Sequence, residues 1–287
     1  MKRRGYVWVL LVFLFGCSPD SVSEPVPAYL YIPSFSLRTT PAQGTASSLI
    51  TDIWLTVGGE FLGAYELPAL VPILQTGAVD IRLDAGIRDN GIHATPEIYP
   101  FYTPVELQVS LAPGEVDTLQ PITSYITDTR FALMEPFEQP DHLMRDLRIG
   151  GQEVLGWNEH APFEGRGSLE IQLSADQPVI ELASLTRFRE LGKKSPFVYL
   201  ELNYKSEVPV VFGLVGYARI TDTQGSVLLN PGFYPVDDWQ KIYFNLSSLV
   251  QASGLDAYQV VLRAVLADPS GKPQARVLLD NLKLVYF

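Results

Sequence analysis

The stretch Val198-Tyr-Leu-Glu-Leu-Asn-Tyr-Lys205 decides the fold class, because apolar and polar side chains alternate along it. Its apolar set is Val198, Leu200, Leu202 and Tyr204. The polar set between them includes Glu201, Asn203 and Lys205. Successive side chains of a β-strand point to opposite faces of the sheet, so this pattern predicts a strand with one face in a core and one in solvent.

The same period of two recurs in two regions of the chain. Alternating segments are found at 53–57, 79–84, 105–111, 168–173, 241–246 and 258–266. Gly58-Gly59 and Asn90-Gly91 have the chemistry of two-residue hairpin turns. No long segment repeats every 3.6 residues, and residues 247–252 form at most a short helical turn. The sequence therefore predicts an all-β protein of two tandem antiparallel β-sandwiches, at residues 28–124 and 125–287.

Residues 1–16 have the layout of an export signal. Lys2, Arg3 and Arg4 give a basic start, residues 6–15 are all apolar, and Gly16 precedes Cys17, which is the only cysteine. The apolar run is shorter than the roughly 20 residues that a membrane-spanning helix needs. Residues 17–27 are mostly polar and contain several prolines, which predicts a flexible tether.

The stretch Leu14-Phe15-Gly16-Cys17 resembles the lipobox of bacterial lipoproteins, in which the cysteine is lipidated and the preceding residues are removed. Phe15 departs from that pattern, because the residue two positions before the cysteine is usually small. The resemblance implies an outer-membrane lipoprotein of the cell envelope, attached to the membrane through Cys17. Asp20 and Glu24 also resemble the surface-export signal of Bacteroidota lipoproteins. The alternatives are an N-terminal anchor, a signal peptide with an unmodified cysteine, and, for the acidic residues, a solvated linker.

The charge of the chain limits its partners. The formal net charge is −11 and becomes −14 if the signal is removed with its three basic residues. Such a surface repels nucleic acid and anionic lipid headgroups. No glycine-rich phosphate-binding motif is present, so nucleotide binding is not expected. With Cys17 lipidated, the mature chain has no thiol left for a disulfide.

Residues 51–88 resemble the PEGA-type and related immunoglobulin-like modules of bacterial envelope proteins. The likeness lies in the Gly58-Gly59 turn, a short strand with glycine and proline, and a glycine before an alternating strand. It implies a spacer or interaction module in an immunoglobulin-like sandwich. The aromatic segment at 97–104 (EIYPFYTP) is expected to cover the open end of that sandwich, the alternative being an exposed aromatic edge.

The second region resembles the galactose-binding-like jelly rolls of carbohydrate-binding modules. The pieces that carry the resemblance lie at 137–138 (FE), 164–171 (EGRGSLEI), 239–246 (WQKIYFNL) and 279–284 (LDNLKL). It implies a jelly roll over about residues 131–287. Many of these jelly rolls hold a structural calcium ion between their first and last strands, and Glu138 and Asp280 match its ligands by position. The alternative is that Asp280 caps the closing turn and Glu138 is solvated.

The same resemblance implies a glycan site, since carbohydrate modules stack sugar rings on exposed aromatic side chains. The candidates in loop-like segments are Trp157, Tyr234 and Trp239. The alternative for each is packing in the core of the sandwich, where most aromatic side chains of such folds lie.

Catalysis has little support in the sequence. The three histidines do not have the spacing of a zinc site. The nearest carboxylate clusters occur in proline-containing segments and are expected to be solvated. They are Glu135 with Glu138 and Asp141, and Asp237 with Asp238. We therefore expect a membrane-anchored, non-catalytic lipoprotein that presents a recognition surface for a glycan or an envelope protein. The alternatives are a structural accessory subunit of a cell-surface or secretion assembly and a glycan hydrolase.

Overall fold

The computed structural model describes residues 25–147 and 155–287. Cys17, the predicted signal peptide at 1–16 and most of the predicted tether lie outside the described residues. Within the described part of the chain, no helix is both long and apolar enough to cross a membrane.

The first region is a sandwich of short strands. They are β1 (Ala28–Ile32), β2 (Ser36–Arg38), β3 (Asp52–Val57), β4 (Glu60–Glu66), β5 (Ala69–Ile73), β6 (Gly77–Arg88), β7 (Pro96–Ile98), β8 (Val105–Leu111), β9 (Val116–Thr118) and β10 (Ile122–Ser124). One layer has the order β4-β3-β6, and both β7 and β8 pair with β6. The other layer contains β5-β1-β9 and the pair β2-β10.

The period of two accounts for the packing of this sandwich. Ile53, Leu55 and Val57 of β3 are buried in its core. Gly58 and Gly59 both have positive φ, at 57° and 86°, as the predicted two-residue hairpin turn requires. The first and last strands pair in parallel, β1 with β9 and β2 with β10, whereas the other ladders of this region are antiparallel.

The second region contains eleven further strands and one short helix within residues 130–147 and 155–287. They are β11 (Arg130–Glu135), β12 (Met144–Asp146), β13 (Leu155–Asn158), β14 (Ser168–Ser174), β15 (Val179–Ser184), β16 (Val198–Ser206), β17 (Val210–Tyr217), β18 (Ser226–Phe233), β19 (Val236–Asn245), α1 (Ser247–Ser253), β20 (Ala257–Val265) and β21 (Gln274–Tyr286). The sheet that lies nearer the first sandwich, which we call the proximal sheet, has the order β13-β14-β21-β16-β19, with β11 beside β21. The other sheet, which we call the distal sheet, has the order β12-β15-β20-β17-β18.

The chain passes repeatedly between the two sheets of the second region, as in a jelly roll. From β14 to β17 each strand lies in the sheet opposite to the one before it, and the same holds from β18 to β21. The two sheets enclose one apolar core, in which Phe212 of the distal sheet stacks on Phe244 of the proximal sheet at 4.2 Å. The predicted fold class, all-β with tandem sandwiches, is confirmed.

The outer face of the proximal sheet is buried, and here the alternation in 198–205 gave a wrong prediction. Glu201 and Asn203 were expected in solvent, but their exposed fractions are 0% and 1%. Lys241 of β19 and Lys283 of β21 are buried on the same sheet. The first sandwich covers this face. A strand can bury an apolar face in a core and a polar face in an interface. Its sequence then shows the same alternation as a strand with one face in solvent.

The carboxylate of Glu201 lies at the centre of this contact. Tyr99 donates its hydroxyl to Oε1 at 2.6 Å, and Tyr125, in the linker between the sandwiches, donates to both oxygens at 2.9 Å. Lys241 Nζ lies 3.4 Å from Oε2. Burial lowers the pKa of Lys241, and the charge of Glu201 opposes that shift. Burial also raises the pKa of Tyr99 and of Tyr125 well above 10, so both phenols stay protonated donors.

We call the contact between the first sandwich and the proximal sheet the junction. Two segments of the first sandwich make further hydrogen bonds across it. The segment before β3 contributes three: Ser47 Oγ to Asn203 Oδ1 at 2.8 Å, the Leu49 N–H to the Tyr243 hydroxyl at 2.9 Å, and Lys283 Nζ to the Thr45 carbonyl at 2.7 Å. The turn after β6 contributes the Asn90 N–H to the Tyr243 carbonyl at 2.9 Å, and Asn90 Oδ1 accepts the Asn245 N–H at 3.0 Å.

The aromatic segment at 97–104 belongs to the same junction. Tyr99, Phe101 and Tyr102 are buried, and Tyr99 meets Tyr199 and Tyr243 of the second sandwich at ring distances of 5.3 and 4.9 Å. The segment therefore closes the first core and packs on the second sandwich. Tyrosine suits this place, since its ring buries apolar area while its hydroxyl bonds a polar group.

Breaking the Glu201–Lys241 pair should destabilise the protein strongly. We expect Glu201→Gln and Lys241→Met each to lower the free energy of unfolding by about 3–5 kcal/mol, because each leaves a buried charge without its partner. The double variant should cost less than the sum of the two, which urea denaturation of all four proteins measures as a double-mutant cycle.

The exposed pair Arg189–Asp256, at 3.1 Å, is the matched control. Arg189→Met should cost less than about 1 kcal/mol, since exposed ion pairs contribute little. Equal costs at the two sites, or strict additivity of the buried variants, would contradict the central role of Glu201.

Candidate functional site

The predicted calcium ligand Asp280 lies in the interior of β21 and does not cap a turn. Its carboxylate is fully buried; Oδ2 accepts the N–H groups of Phe163 and Glu164 at 3.0 and 3.3 Å, and Oδ1 accepts that of Asn281 at 2.8 Å. Burial raises the pKa of Asp280 to about 7, although the backbone donors oppose the shift. The side chain fastens the loop at 163–166 to the last strand.

Glu138, the second predicted ligand, holds the same loop from the other side. Its Oε2 accepts the Arg166 N–H at 2.9 Å, and the backbone of Gly165 rests against the carboxylate. Gly165 has a φ of 70°, and a Cβ there would clash with Glu138, so the contact requires glycine. The half-buried Glu138 thus has a protein partner, unlike the solvated side chain considered as the alternative.

These two carboxylates do not form a recognisable metal cage. Across residues 25–147 and 155–287, no three or more His, Cys, Asp or Glu side chains come together to hold a metal ion. Calcium requires six to eight oxygen ligands, and oxygens of both carboxylates are engaged by backbone N–H groups. A structural calcium ion in this domain is therefore supported by the sequence resemblance alone and not by the arrangement of these two carboxylates.

One predicted solvated carboxylate is buried. Glu135 Oε1 accepts the Phe137 N–H at 2.9 Å and Oε2 accepts the Leu143 N–H at 2.7 Å. The residue therefore braces the segment between β11 and β12. Of the remaining members, Glu138 is half-buried as described above, whereas Asp141, Asp237 and Asp238 are exposed as expected.

The two candidate tryptophans were expected in loops, but Trp157 lies in β13 and Trp239 in β19. Both pack beside the loop at 163–167. The indole N–H of Trp157 donates to the Phe137 carbonyl at 2.7 Å, and its ring lies against Gly167. Trp239 meets Phe163 edge-on at 6.0 Å. Both rings are half-buried, which fits a packing role for each.

Tyr234 is different, because 83% of it is exposed. It lines a partly open cavity of about 500 Å³. The floor is apolar and includes Tyr204 and Phe233, whose rings stack at 3.8 Å. An exposed aromatic ring therefore stands beside a recess with aromatic walls, in the size range of small-molecule sites.

The first sandwich supplies another part of the wall of this cavity. Asn90, Gly91 and Ile92 line it from the turn after β6. Gly91 has a φ of 71°, and a Cβ there would lie 2.8 Å from Ile242 Cδ1. We name this the junction cavity. The sequence predicted a turn of two-residue hairpin chemistry at Asn90-Gly91. Both residues have the positive φ of such a turn, but the connection between β6 and β7 is longer and spans residues 89–95. Its place in a site depends on how the sandwiches dock, which no local pattern reveals.

Comparison with known proteins gives no family assignment, since no family model and no curated protein matches the chain. Solved structures of low similarity include the CBM22-1 xylan-binding domain of Paenibacillus barcinonensis Xyn10C, with 14% identity, 54% of this chain and 93% of that chain covered, and a TM-score of 0.37. A family 29 carbohydrate-binding module has 11% identity, coverages of 56% and 89%, and a TM-score of 0.34.

A third similar structure is the enzymatically active domain of tailspike protein 4 from bacteriophage CBA120. It has 8% identity, coverages of 52% of this chain and 20% of that chain, and a TM-score of 0.35. Similarities this low do not identify what the chain does.

The calcium prediction is testable by thermal unfolding. Because Glu138 and Asp280 already accept backbone N–H groups, we expect EDTA to leave the Tm unchanged. A fall in Tm that added calcium reverses would contradict this and establish the site, since an ion bound only by the folded state raises its stability. Glu138→Gln separates the two cases, because it would abolish a calcium response if one exists.

Proposed function

We propose that this protein is a non-catalytic recognition protein of the cell envelope that binds a glycan at the junction cavity. The observation that carries the proposal is the position of Tyr234, which is highly exposed and lines a recess with an aromatic floor. An exposed aromatic residue at the edge of an apolar recess offers a flat apolar surface with a polar hydroxyl, which suits a ligand that enters the recess.

The composition of the junction cavity suits a sugar. The exposed Tyr234 could stack its ring on the C–H groups of a pyranose, and the buried residues Tyr204 and Phe233 contribute to the apolar lining of the recess. Asn90 also lines the cavity, and its Oδ1 is held by the Asn245 N–H, which fixes the position of the amide group. Apolar surface with a few placed polar groups is the usual make-up of a small-molecule site.

The lining supports binding over catalysis. Among the described residues, those that line the junction cavity include no aspartate, glutamate or histidine. A glycosidase generally needs two carboxyl groups on either side of the bond it cleaves. A recess also favours a glycan over the flat patch that an accessory subunit would present to a protein partner.

The glycan proposal predicts a selective effect of Tyr234→Ala. Retention on an array of glycans should be lost with little change in Tm, because the side chain is mostly in solvent. Tyr234→Phe keeps the ring and should keep most of the binding. Trp157→Ala should instead lower stability by about 3 kcal/mol, as removal of a packed aromatic side chain does.

Two outcomes would count against this site. Retention that survives Tyr234→Ala places the glycan elsewhere on the chain. A wild-type protein that binds no glycan on a broad array would overturn glycan recognition and favour an envelope protein as partner.

The location in the envelope is the second part of the proposal. It is supported by the likeness of residues 14–17 to a lipobox and by the single cysteine of the chain. Acyl chains on Cys17 would provide the stable anchoring that one chain alone does not. The net charge of −14 for the mature chain also argues against nucleic acid as a partner.

Cys17→Ser tests the anchor. We expect the variant to leave the membrane fraction as a folded protein with unchanged Tm and unchanged glycan retention, and to fail to complement a deletion strain. Cell fractionation and complementation measure the two effects. Membrane association that persists in Cys17→Ser would show that another segment holds the protein.

A further inference from the structure

One end of the first sandwich carries a set of exposed apolar side chains. The hairpin between β3 and β4 turns at this end, where Val57 lies opposite Glu60. The start of β1 and the end of β5 lie here too, with Ala28 opposite Ile73. The opposite end bears the turn with Asn90 and faces the second sandwich. We name the first of these ends the tip. It comprises residues 25–27, 57–62, 74–77 and 112–116.

The tip exposes large apolar residues from four separate segments. They are Val26, Phe61, Leu62, Leu74 and Val116, with exposed fractions of 59, 61, 39, 64 and 57%. Backbone and side-chain bonds hold the segments together: the Gly114 N–H donates to the Pro27 carbonyl at 2.9 Å, and Gln75 Nε2 to the Val57 carbonyl at 3.5 Å. A concentration of exposed apolar groups of this kind marks an interaction surface.

The charge of the tip restricts the partner. Its segments contain no lysine or arginine, and they contain the exposed acidic residues Glu60 and Glu115. A surface that binds anionic lipid uses basic residues, each contributing about 1 kcal/mol near such a membrane. The tip therefore suits an apolar contact with a surface of no net charge.

The path of the chain indicates what that surface is. Val26 follows Cys17 by nine residues, and an extended chain spans at most about 3.3–3.6 Å per residue, or roughly 30 Å in all. Lipid on Cys17 would therefore confine the tip to within that distance of the bilayer. A short tether makes a weak second contact effective, because it keeps the local concentration of the surface high.

We propose that the tip contacts the headgroup region of a lipid bilayer of no net charge, with Phe61, Leu62 and Leu74 reaching the start of the acyl chains. This inference rests on the proposed anchoring through Cys17. The contact orients the molecule, so that the second sandwich and the junction cavity point away from the membrane.

Spin labels of known depth test the contact. A cysteine introduced as Leu74→Cys or Phe61→Cys is the only free thiol of the lipidated protein, and Gln224→Cys on an exposed loop of the distal sheet is the control. In phosphatidylcholine vesicles we expect labels at 61 and 74 to be several-fold less accessible to a water-soluble nickel complex, and more accessible to oxygen, than the label at 224. Phe61→Asp combined with the label at 74 should abolish that difference while the protein stays bound to the vesicles.

The outcomes separate this inference from the anchor itself. A vesicle-bound protein whose labels at 61 and 74 behave like that at 224 overturns the tip contact and leaves the anchor in place. Protein that does not bind the vesicles overturns both. Mutual broadening of the labels at 61 or 74, removed by dilution with unlabelled protein, would show that a second copy covers the tip and would also overturn the contact with lipid.

Discussion

The carboxylate of Glu201 has no contact with solvent, and its partners come from different parts of the chain. Tyr99 belongs to the first sandwich, Tyr125 to the linker and Lys241 to the second sandwich. Taking a carboxylate out of water is expensive unless its partners are in place, so the charge is stable only when both sandwiches are docked. The hydrogen bonds and the ion pair of this one side chain therefore favour a single orientation of the two sandwiches.

The fold class could be predicted from the sequence, because the side chains of a strand that face the core recur at every second residue. That face was right for Val198, Leu200 and Leu202. The other face of the same strand was wrong at Glu201 and Asn203, since the pattern shows that a side chain is polar but not what it meets. The aromatic segment at 97–104 was expected to cover only the open end of the first sandwich, but Tyr99 also packs on Tyr199 and Tyr243 of the second.

The candidate site shows the same limit. Trp157, Tyr234 and Trp239 are equivalent in sequence, each an aromatic residue in a loop-like segment, yet only Tyr234 is freely exposed. What distinguishes them is the loop at 163–167, against which both tryptophans pack. That loop is held by Glu138 and Asp280, so the residues expected to bind calcium position the loop that covers part of both tryptophans.

The junction links the stability of the protein to the shape of its site. The Asn90-Gly91 turn forms one wall of the junction cavity and bonds Tyr243 and Asn245. Both lie on β19, the strand that carries Lys241, and Tyr243 pairs directly with Glu201. A flexible connection between the sandwiches would give that wall no fixed position relative to Tyr234. Because the sandwiches are joined by buried hydrogen bonds, the cavity is preformed, and a ligand would not have to offset the entropy of ordering two domains.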